Sequence, residues 1–293
     1  MATKLKEILF LQQLKGIGVA KINNSYLSVI RQHDFETLKT AVLRNEKKLT
    51  DEDIRQADYI SSKILDDLLS DDTLQAVTVF DDEFPEKLRS LGGKKPPIIY
   101  ARGAIEALKR PGLAVVGTRH PSLISVKAGR SMVEYAIKQS NPIIISGLAN
   151  GCDEVAHTAA LDAGGITVAV LPSGFDNIMP ISNRPLAKRI LENNGCLISE
   201  YLPQTEPINA YFVRRDSLIA ALAAGTLVIE CEEKSGTMHT VDAAVSVRRP
   251  VACYYPSPLP EGFSGNDKMI KNKIADKISI HADLKGFLHK IES

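Results

Sequence analysis

The sequence predicts an α/β protein built on a doubly wound, mostly parallel sheet. Two short apolar runs, at 113–116 and 143–145, lack polar alternation, which is typical of strands buried on both faces. The segment between them, 122–140, carries apolar residues at helical spacing. Each apolar run ends in a loop of small residues, at the strand end where sheets of this class bind ligands. These features define a β-α-β unit around which the rest of the chain is organised.

Strand and helix patterns continue to alternate on both sides of this unit. Further strands are predicted at 77–80, 97–102, 166–171, 196–199, 226–231 and 250–254, and helices at 186–191, after 211 and at 237–245. Gly265–Asp267 predicts the cap of a closing helix. This regular alternation favours the doubly wound class.

The first part of the chain has a different character. Residues 1–75 show helical periodicity throughout, and an acidic break at 70–72 separates them from the strands, so we predict a small all-α domain at 1–75 and an α/β domain at 76–293. The segment 14–22 contains Gly16-Ile17-Gly18. It is either a helix-hairpin-helix turn that offers N–H groups to a DNA phosphate or a tight turn between two packed helices.

Composition narrows the function further. The 293 residues are 44% hydrophobic and 24% charged with a net charge of +1, so a nucleic-acid site would need local placement of charge. The four cysteines are far apart, which favours a reducing, cytoplasmic location over disulfides or a metal site. No signal peptide and no membrane-spanning run is expected.

The loops after the strands carry groups that bind anions. Glycines at these positions let the backbone approach a ligand, and the following helix N-termini favour phosphate. The side-chain donors are Arg119, Arg214, Arg215, Lys234 and the hydroxyls of Thr118, Ser146, Ser173, Ser235 and Thr237. Neither a G-x-G-x-x-G nor a G-x-x-x-x-G-K-[ST] motif occurs, so no NAD or ATP site and no cofactor is predicted.

The sequence contains only weak matches to known catalytic motifs. Asp153 and His157 are one helical turn apart, and with Ser146 they could be read as a triad, but no G-x-S-x-G elbow holds a serine. A structural role for Asp153 and His157 is the preferred interpretation.

Several motifs together resemble the DprA/Smf family of DNA-processing proteins. They are Phe84–Leu88, Pro97–Gly103, Val115–Arg119, Ser146–Asp153 with His157, Ala163–Gly165, Gly174–Asp176 with Pro180 and Asn183, Ser199–Glu200, Phe212–Arg215, Glu230 with Ser235–Thr237, and Gly265–Asn266. The resemblance runs in family order from about residue 77 to residue 285.

The resemblance implies a Rossmann-like domain that binds single-stranded DNA, forms homodimers and loads a RecA-type recombinase during natural transformation, without enzymatic turnover. The N-terminal helices resemble a SAM-like or helix-hairpin-helix extension. Carried over by position, the family's phosphate pocket would use Gly117, Thr118, Arg119, Ser146, Gly147, Asn150, Gly151, Arg214 and Arg215. The neighbouring loops add Ser173, Gly174, Ser235, Gly236 and Thr237 to the predicted set.

Three departures from the family pattern bear on binding. Asn150 stands where members usually carry Arg or Lys, and Arg214-Arg215-Asp216-Ser217 replaces R-R-N-R. Both changes remove local positive charge. The chain also ends at Ser293, so the winged-helix domain of many members is not expected.

A second class with the same sheet is the alternative. Phosphoribohydrolases and nucleotide-ligand sensors read P-G-G-x-G-T-x-x-E, and here Thr240 takes the place of the glutamate that performs the acid–base chemistry. This disfavours hydrolysis and leaves a binder of a nucleotide-derived ligand as the competing hypothesis.

Overall fold

A computed structural model describes residues 2–292, which divide into two compact units. The first comprises Met1–Phe84 and Arg89–Ala101, and the second comprises Pro85–Leu88 and Arg102–Ser293. The N-terminal helices occur as predicted, and their unit also contains a first strand and most of a second. The domain boundary at residue 75 stays a prediction. None of the helices in residues 2–292 combines the length and apolar composition needed to cross a bilayer.

In the first unit, the helices pack around buried apolar residues of the first helix. Its elements are α1 (Ala2–Gln13), α2 (Val19–Lys21), α3 (Leu27–Gln32), α4 (Phe35–Asn45), α5 (Asp51–Leu69), β1 (Leu74–Thr78) and β2 (Ile98–Gly103). Ile8 and Leu9 of α1 are fully buried, and α1 packs along α5. The segment 14–18 forms a turn in which Gly16 has a φ of 84° and Ile17 is buried. The two interpretations of this segment, a DNA contact and a turn between packed helices, both stay predictions.

The second unit alternates strands and helices as the sequence indicates. Its elements are β3 (Gly112–Val116), α6 (Leu123–Ser140), β4 (Ile143–Ser146), α7 (Cys152–Asp162), β5 (Thr167–Leu171), α8 (Arg184–Glu192), β6 (Cys196–Ser199), α9 (Asn209–Leu222), β7 (Gly225–Val228), α10 (Thr237–Ser246), β8 (Val251–Tyr254), α11 (Ser264–Lys271), β9 (Asp276–Ile278) and α12 (His281–Glu292). The predicted strands in this unit all occur. The sequence reasoning missed β9 and α12.

Strand order reverses at β3. Within this unit the order is β6-β5-β4-β3-β7-β8-β9, and each neighbouring pair is parallel. The chain moves outward from β3 through β4 to β6 and then returns through α9 to β7 on the other side of β3. Right-handed connections therefore place α6, α7 and α8 on one face and α9 and α10 on the other. A crevice opens at such a switch point, beyond the carboxyl end of β3.

The predicted cap at Gly265–Asp267 is corrected by the structure. Because α11 begins at Ser264, these residues lie in its first turn. The side chain of Asn266 is fully buried and points into the sheet instead. Its oxygen accepts the N–H of Cys231 at 2.9 Å, and its nitrogen donates to the carbonyls of Ile229 at 3.1 Å and Tyr254 at 2.8 Å. One amide therefore joins the ends of β7 and β8.

We expect Asn266→Ala to lower the free energy of unfolding by about 2–4 kcal/mol, because one buried donor and two buried acceptors lose their partner. Urea denaturation followed by circular dichroism measures the change. The exposed Asn272, directly after the same helix, offers a matched control, and Asn272→Ala should stay within about 0.5 kcal/mol of wild type. A similar small loss for both variants would contradict the bridging role.

Candidate nucleic-acid interface

Three loops meet at the carboxyl ends of β3, β4 and β7. The N–H of Thr118 donates to the carbonyl of Glu230 at 2.7 Å, and the N–H of Cys152 donates to the carbonyl of Thr118 at 3.1 Å. A Cβ at Gly117 would lie 2.5 Å from the Cys152 sulfur, and one at Gly151 would lie 2.6 Å from the Arg119 carbonyl. These glycines therefore let the loops pack against each other, while their predicted contact with a ligand stays a prediction.

Glu230 holds the start of α6 from the end of β7. Its carboxylate accepts the backbone N–H of Ser122 at 2.8 Å and the hydroxyl of Ser122 at 2.7 Å. Ser122 is in turn the N-cap of α6. The sequence associated Glu230 with a motif but assigned it no role; a charged residue near the end of the predicted apolar strand 226–231 was the available signal.

A cavity of about 360 Å³ lies between these loops and α9 and α10. It is lined by Val116, Gly117, Thr118, Arg119, His120, Ala149, Asp153, Phe212, Val213, Arg215, Asp216, Ile219, Ser235, Gly236, Thr237, His239 and Thr240. Residues of the predicted phosphate set from two separate loops, after β3 and after β7, thus share one cavity with Arg215 of α9. Sequence reasoning missed His120 and His239 as members of its wall.

Arg119 lies on the surface of this cavity. It is exposed, and its guanidinium carbon lies 5.4 Å from the centre of the Phe212 ring. Such a cation–π contact orients the guanidinium while leaving its N–H donors available. Phe212 comes from the first turn of α9, so the helix places an aromatic face beside the cation.

Arg215 has a different environment from the one expected for a phosphate ligand. Its residue is only 5% exposed, and its Nη1 donates to the carbonyls of Gly147 and, at 3.2 Å, Val170. The Asp153 carboxylate lies 4.0 Å from Nη1, and the Asp216 carboxylate lies 3.0 Å from Nε. We call Arg215, Asp153 and Asp216 the Arg215 cluster. A Cβ at Gly147 would overlap the guanidinium, so glycine is required there by this buried arginine.

The two acids of the Arg215 cluster are held out of water. Burial raises the pKa of Asp153, although Arg215 and the N–H of Ala149, at 3.2 Å, favour its ionised form. Burial also raises the pKa of Asp216 to about 6, against the opposing effect of Arg215. A buried carboxylate beside an arginine is stabilised by that charge but still carries a desolvation cost.

Arg214 is turned away from the cavity. Its Nε and Nη2 donate to the two oxygens of Glu200, each at 2.6 Å, in the fork geometry typical of arginine–carboxylate pairs. Burial raises the pKa of Glu200, and Arg214 opposes that shift. The prediction that Arg214 and Arg215 both present free positive charge to a ligand is therefore corrected, since carboxylates engage both.

Four other predicted residues lie outside the cavity lining. The buried hydroxyls of Ser146 and Ser173 donate to the carbonyls of Val115, at 2.7 Å, and Asn177, at 2.8 Å. A Cβ at Gly174 would overlap the backbone carbonyls of the two residues after Tyr201. The loop that carries Gly174 therefore packs closely against that backbone segment. Asn150 is exposed, and its side-chain oxygen accepts the Ser182 hydroxyl at 3.2 Å. These placements give Ser146, Ser173 and Gly174 structural roles.

The structural interpretation of His157 is confirmed. The ring is fully buried, and Nδ1 lies 2.6 Å from the Thr167 hydroxyl, which itself donates to the Ile144 carbonyl. Nδ1 therefore carries the ring proton. Burial and the charge of Arg215 lower the pKa of His157 to about 3, so the ring stays neutral. Within residues 2–292, no group of three or more His, Cys, Asp or Glu side chains is arranged to hold a metal ion.

The fold and the loop placement define a Rossmann-like α/β protein with a cleft at the switch point of its sheet. The chain belongs to the DNA recombination-mediator protein A family, whose model matches residues 75–289.

Individual relatives agree with this assignment. The DNA processing protein DprA of Streptococcus pneumoniae is 35% identical over 189 residues, covering 64% of this chain and 64% of the relative. Protein Smf of Escherichia coli is 36% identical over 172 residues, covering 59% of this chain and 45% of the relative. The aligned segment thus spans less than two thirds of either relative.

Solved structures extend the comparison. The crystal structure of DprA from S. pneumoniae matches with a TM-score of 0.82 at 25% identity, covering 96% of both chains. DNA processing protein A from Helicobacter pylori, studied for its single-stranded DNA binding mode, matches with a TM-score of 0.64 at 25% identity, covering 74% of this chain and 95% of that one.

We expect Arg215→Ala to lower the free energy of unfolding by about 3–5 kcal/mol, because it leaves two buried carboxylates without their cation. Chemical denaturation measures the loss, with the exposed Arg119→Ala as a control that should change stability little. If Arg215→Ala kept wild-type stability, the arginine would not hold the loops together.

Asp216 should make stability fall as the pH rises. Its folded pKa of about 6 lies above the ordinary value of 3.8, so the folded state favours the protonated form and loses stability as the pH climbs through 6. Asp216→Asn should therefore gain about 1–3 kcal/mol over wild type at pH 7.5 and much less at pH 4. Denaturation curves at both pH values measure this difference. Exposed Asp242→Asn on α10 is the control, and parallel pH profiles for wild type and Asp216→Asn would contradict the assignment.

Proposed function

We propose that this protein binds single-stranded DNA and acts as a recombination mediator, loading a RecA-type recombinase onto incoming strands in natural transformation. Membership of the recombination-mediator family and the likeness to the H. pylori protein support this proposal. We further propose that it works in the cytoplasm as a homodimer and without turnover of its own. The four buried, free thiols are in keeping with a reducing compartment.

The observation that carries the proposal is the pairing of Arg119 with Phe212 at the cavity. The guanidinium offers a planar set of donors suited to phosphate oxygens, and the ring beside it provides a surface for a base. Thr118 and Thr237 add hydroxyls to the same cavity. A site that contacts one backbone and stacks unpaired bases prefers single strands and reads little sequence.

A second aromatic surface lies near the start of α9. The rings of Tyr201 and Tyr211 stack at 3.9 Å between centroids, and both residues are half-buried. Tyr201 directly follows Glu200, and Tyr211 lies three residues before Arg214. The ion pair between Glu200 and Arg214 therefore holds together the two segments that carry these rings. We propose that this pair extends the stacking surface beyond Phe212.

The charge distribution predicts modest electrostatic attraction. Among the described residues that line the cavity, Arg119 is the arginine that faces no carboxylate within salt-bridge distance, whereas Arg215 faces two. Asn150 adds no charge. Because each neutralised phosphate contributes about 0.7 to the slope of log affinity against log salt for single strands, we expect a shallow salt dependence per cavity.

A binder of a small nucleotide-derived ligand is the second candidate. The cavity of about 360 Å³ falls within the range of small-molecule sites. Thr240, buried in its wall, takes the place of the glutamate that hydrolases of this type use, which supports binding without hydrolysis. A thermal shift with mononucleotides, in the absence of any affinity for oligonucleotides, would favour this candidate.

The central test is a fluorescence anisotropy titration with a single-stranded oligonucleotide and a duplex of the same length. We expect tighter binding of the single strand, because only unpaired bases can stack on the cavity's aromatic surface. Oligonucleotides of different sequence should bind alike. Equal affinity for the duplex would count against the proposal.

Arg119→Ala should weaken single-strand binding by about 1–3 kcal/mol, the range of a lost charged hydrogen bond. It should also reduce the salt slope by about 0.7, and stability should hardly change, since Arg119 is exposed. Titrations at several salt concentrations measure both effects, with exposed Arg248→Ala, which lies outside the cavity lining, as the control. Wild-type affinity combined with a lower melting temperature would make Arg119 a structural residue.

A further inference from the structure

The cavity wall carries equal numbers of basic and acidic side chains, apart from its histidines. Its described lining includes two arginines, Arg119 and Arg215, and two acids, Asp153 and Asp216. When both acids are ionised and the two histidines are neutral, these charges cancel. A phosphate entering this cavity thus meets one exposed cation beside a cluster whose carboxylates outnumber its arginine.

Asp216 is the acid that a ligand would sense most directly. Asp153 is fixed by the Ala149 N–H on the inner side of the Arg215 cluster. The Asp216 side chain is 14% exposed, compared with 9% for Asp153 and 6% for Arg215. It is also the residue that stands where R-R-N-R would place a neutral asparagine. An asparagine at this position would leave the lining with a net positive charge.

We propose that Asp216 is a specificity-determining residue, which makes the cavity accept a singly charged phosphodiester and discriminate against a doubly charged phosphate monoester. The inference rests on the proposed binding of DNA. An internal backbone phosphate carries one charge at any pH near neutrality, whereas a terminal phosphate or a mononucleotide carries between one and two. One unpaired arginine can balance the first charge, and the second would face Asp216 without compensation.

The chemical consequence is preferential binding of the phosphates inside a DNA strand over terminal phosphates and free mononucleotides. Free mononucleotides and phosphorylated strand ends contain the same groups as the backbone, so shape alone does not exclude them. A fixed carboxylate beside the phosphate position separates the two classes by charge. The cost is weaker attraction for every phosphate, diesters included.

The proposal also predicts a pH dependence. The raised pKa of Asp216, about 6, means that acidification removes its charge. The groups that face Asp216 are Arg215 on its own helix, Asp153 on α7 and His239 on α10. Arg119 and His120, on the loop after β3, line the same cavity. Protonation of either histidine would also favour an anion, so a variant of Asp216 is needed to separate the contributions.

The experiment uses two competitors that differ by one methyl group and by one charge. Thymidine 5′-phosphate and thymidine 5′-(methyl phosphate) are each titrated against a complex of the full chain with a labelled single-stranded oligonucleotide at pH 7.5. We expect the methyl diester to compete about fivefold more strongly with wild type, the effect of one partly screened charge at several ångströms. Asp216→Asn should lose or reverse this preference, and the control Asp242→Asn should keep it, although both variants change the net charge equally.

A second measurement needs no variant. At pH 5.5 Asp216 is largely protonated and the monoester approaches a single charge, so the preference of wild type should fall below about twofold. Equal competition by the two ligands at pH 7.5, no competition by either, or an unchanged preference in Asp216→Asn would overturn the inference while leaving DNA binding intact. Absence of any oligonucleotide binding would instead remove the proposed function, and the inference with it.

Discussion

The arrangement of the cavity depends on the buried guanidinium of Arg215. It donates to a carbonyl of the loop after β4 and to a carbonyl of β5, and it faces carboxylates from α7 and α9. These elements lie on both faces of the sheet, so a single charged group fixes their relative positions. A buried arginine is tolerated only when such partners surround it, which also explains why glycine is required at position 147.

This constraint limits how strongly the cavity can attract an anion. The positive charge of the neighbouring residues Arg214 and Arg215 is largely neutralised within the protein. Arg215 faces two acids, and Arg214 pairs with Glu200. Arg119 remains exposed over Phe212. The proposed phosphate site, set in a framework of the recombination-mediator family, would therefore rely on stacking and on one cation. That balance is the physical basis of the proposed preference for strand interiors.

Much of the fold could be predicted from local patterns. Runs such as 113–116 and 143–145 are apolar without alternation because both faces of a parallel strand are buried, and that property is visible in the sequence. The missed strand β9 has only three residues, of which Ile278 alone is buried, so it lacks this signal. The sequence predicts a helix cap at Gly265–Asp267, whereas the partners of the Asn266 side chain lie at the ends of two strands distant in the chain.

The sequence by itself determined the class of fold, the family, and the strand ends at which the loops gather, because hydrophobic period and small-residue loops are local properties. Only the tertiary structure decided which polar side chains remain available to bind a ligand. Arg214 and Arg215 are neighbours in the chain, but successive residues of a helix point about 100° apart, so one reaches Glu200 and the other enters the sheet. Likewise the Ser146 hydroxyl is taken by Val115 of the neighbouring strand. A side chain's availability depends on its partners, and those come from segments that only folding brings together.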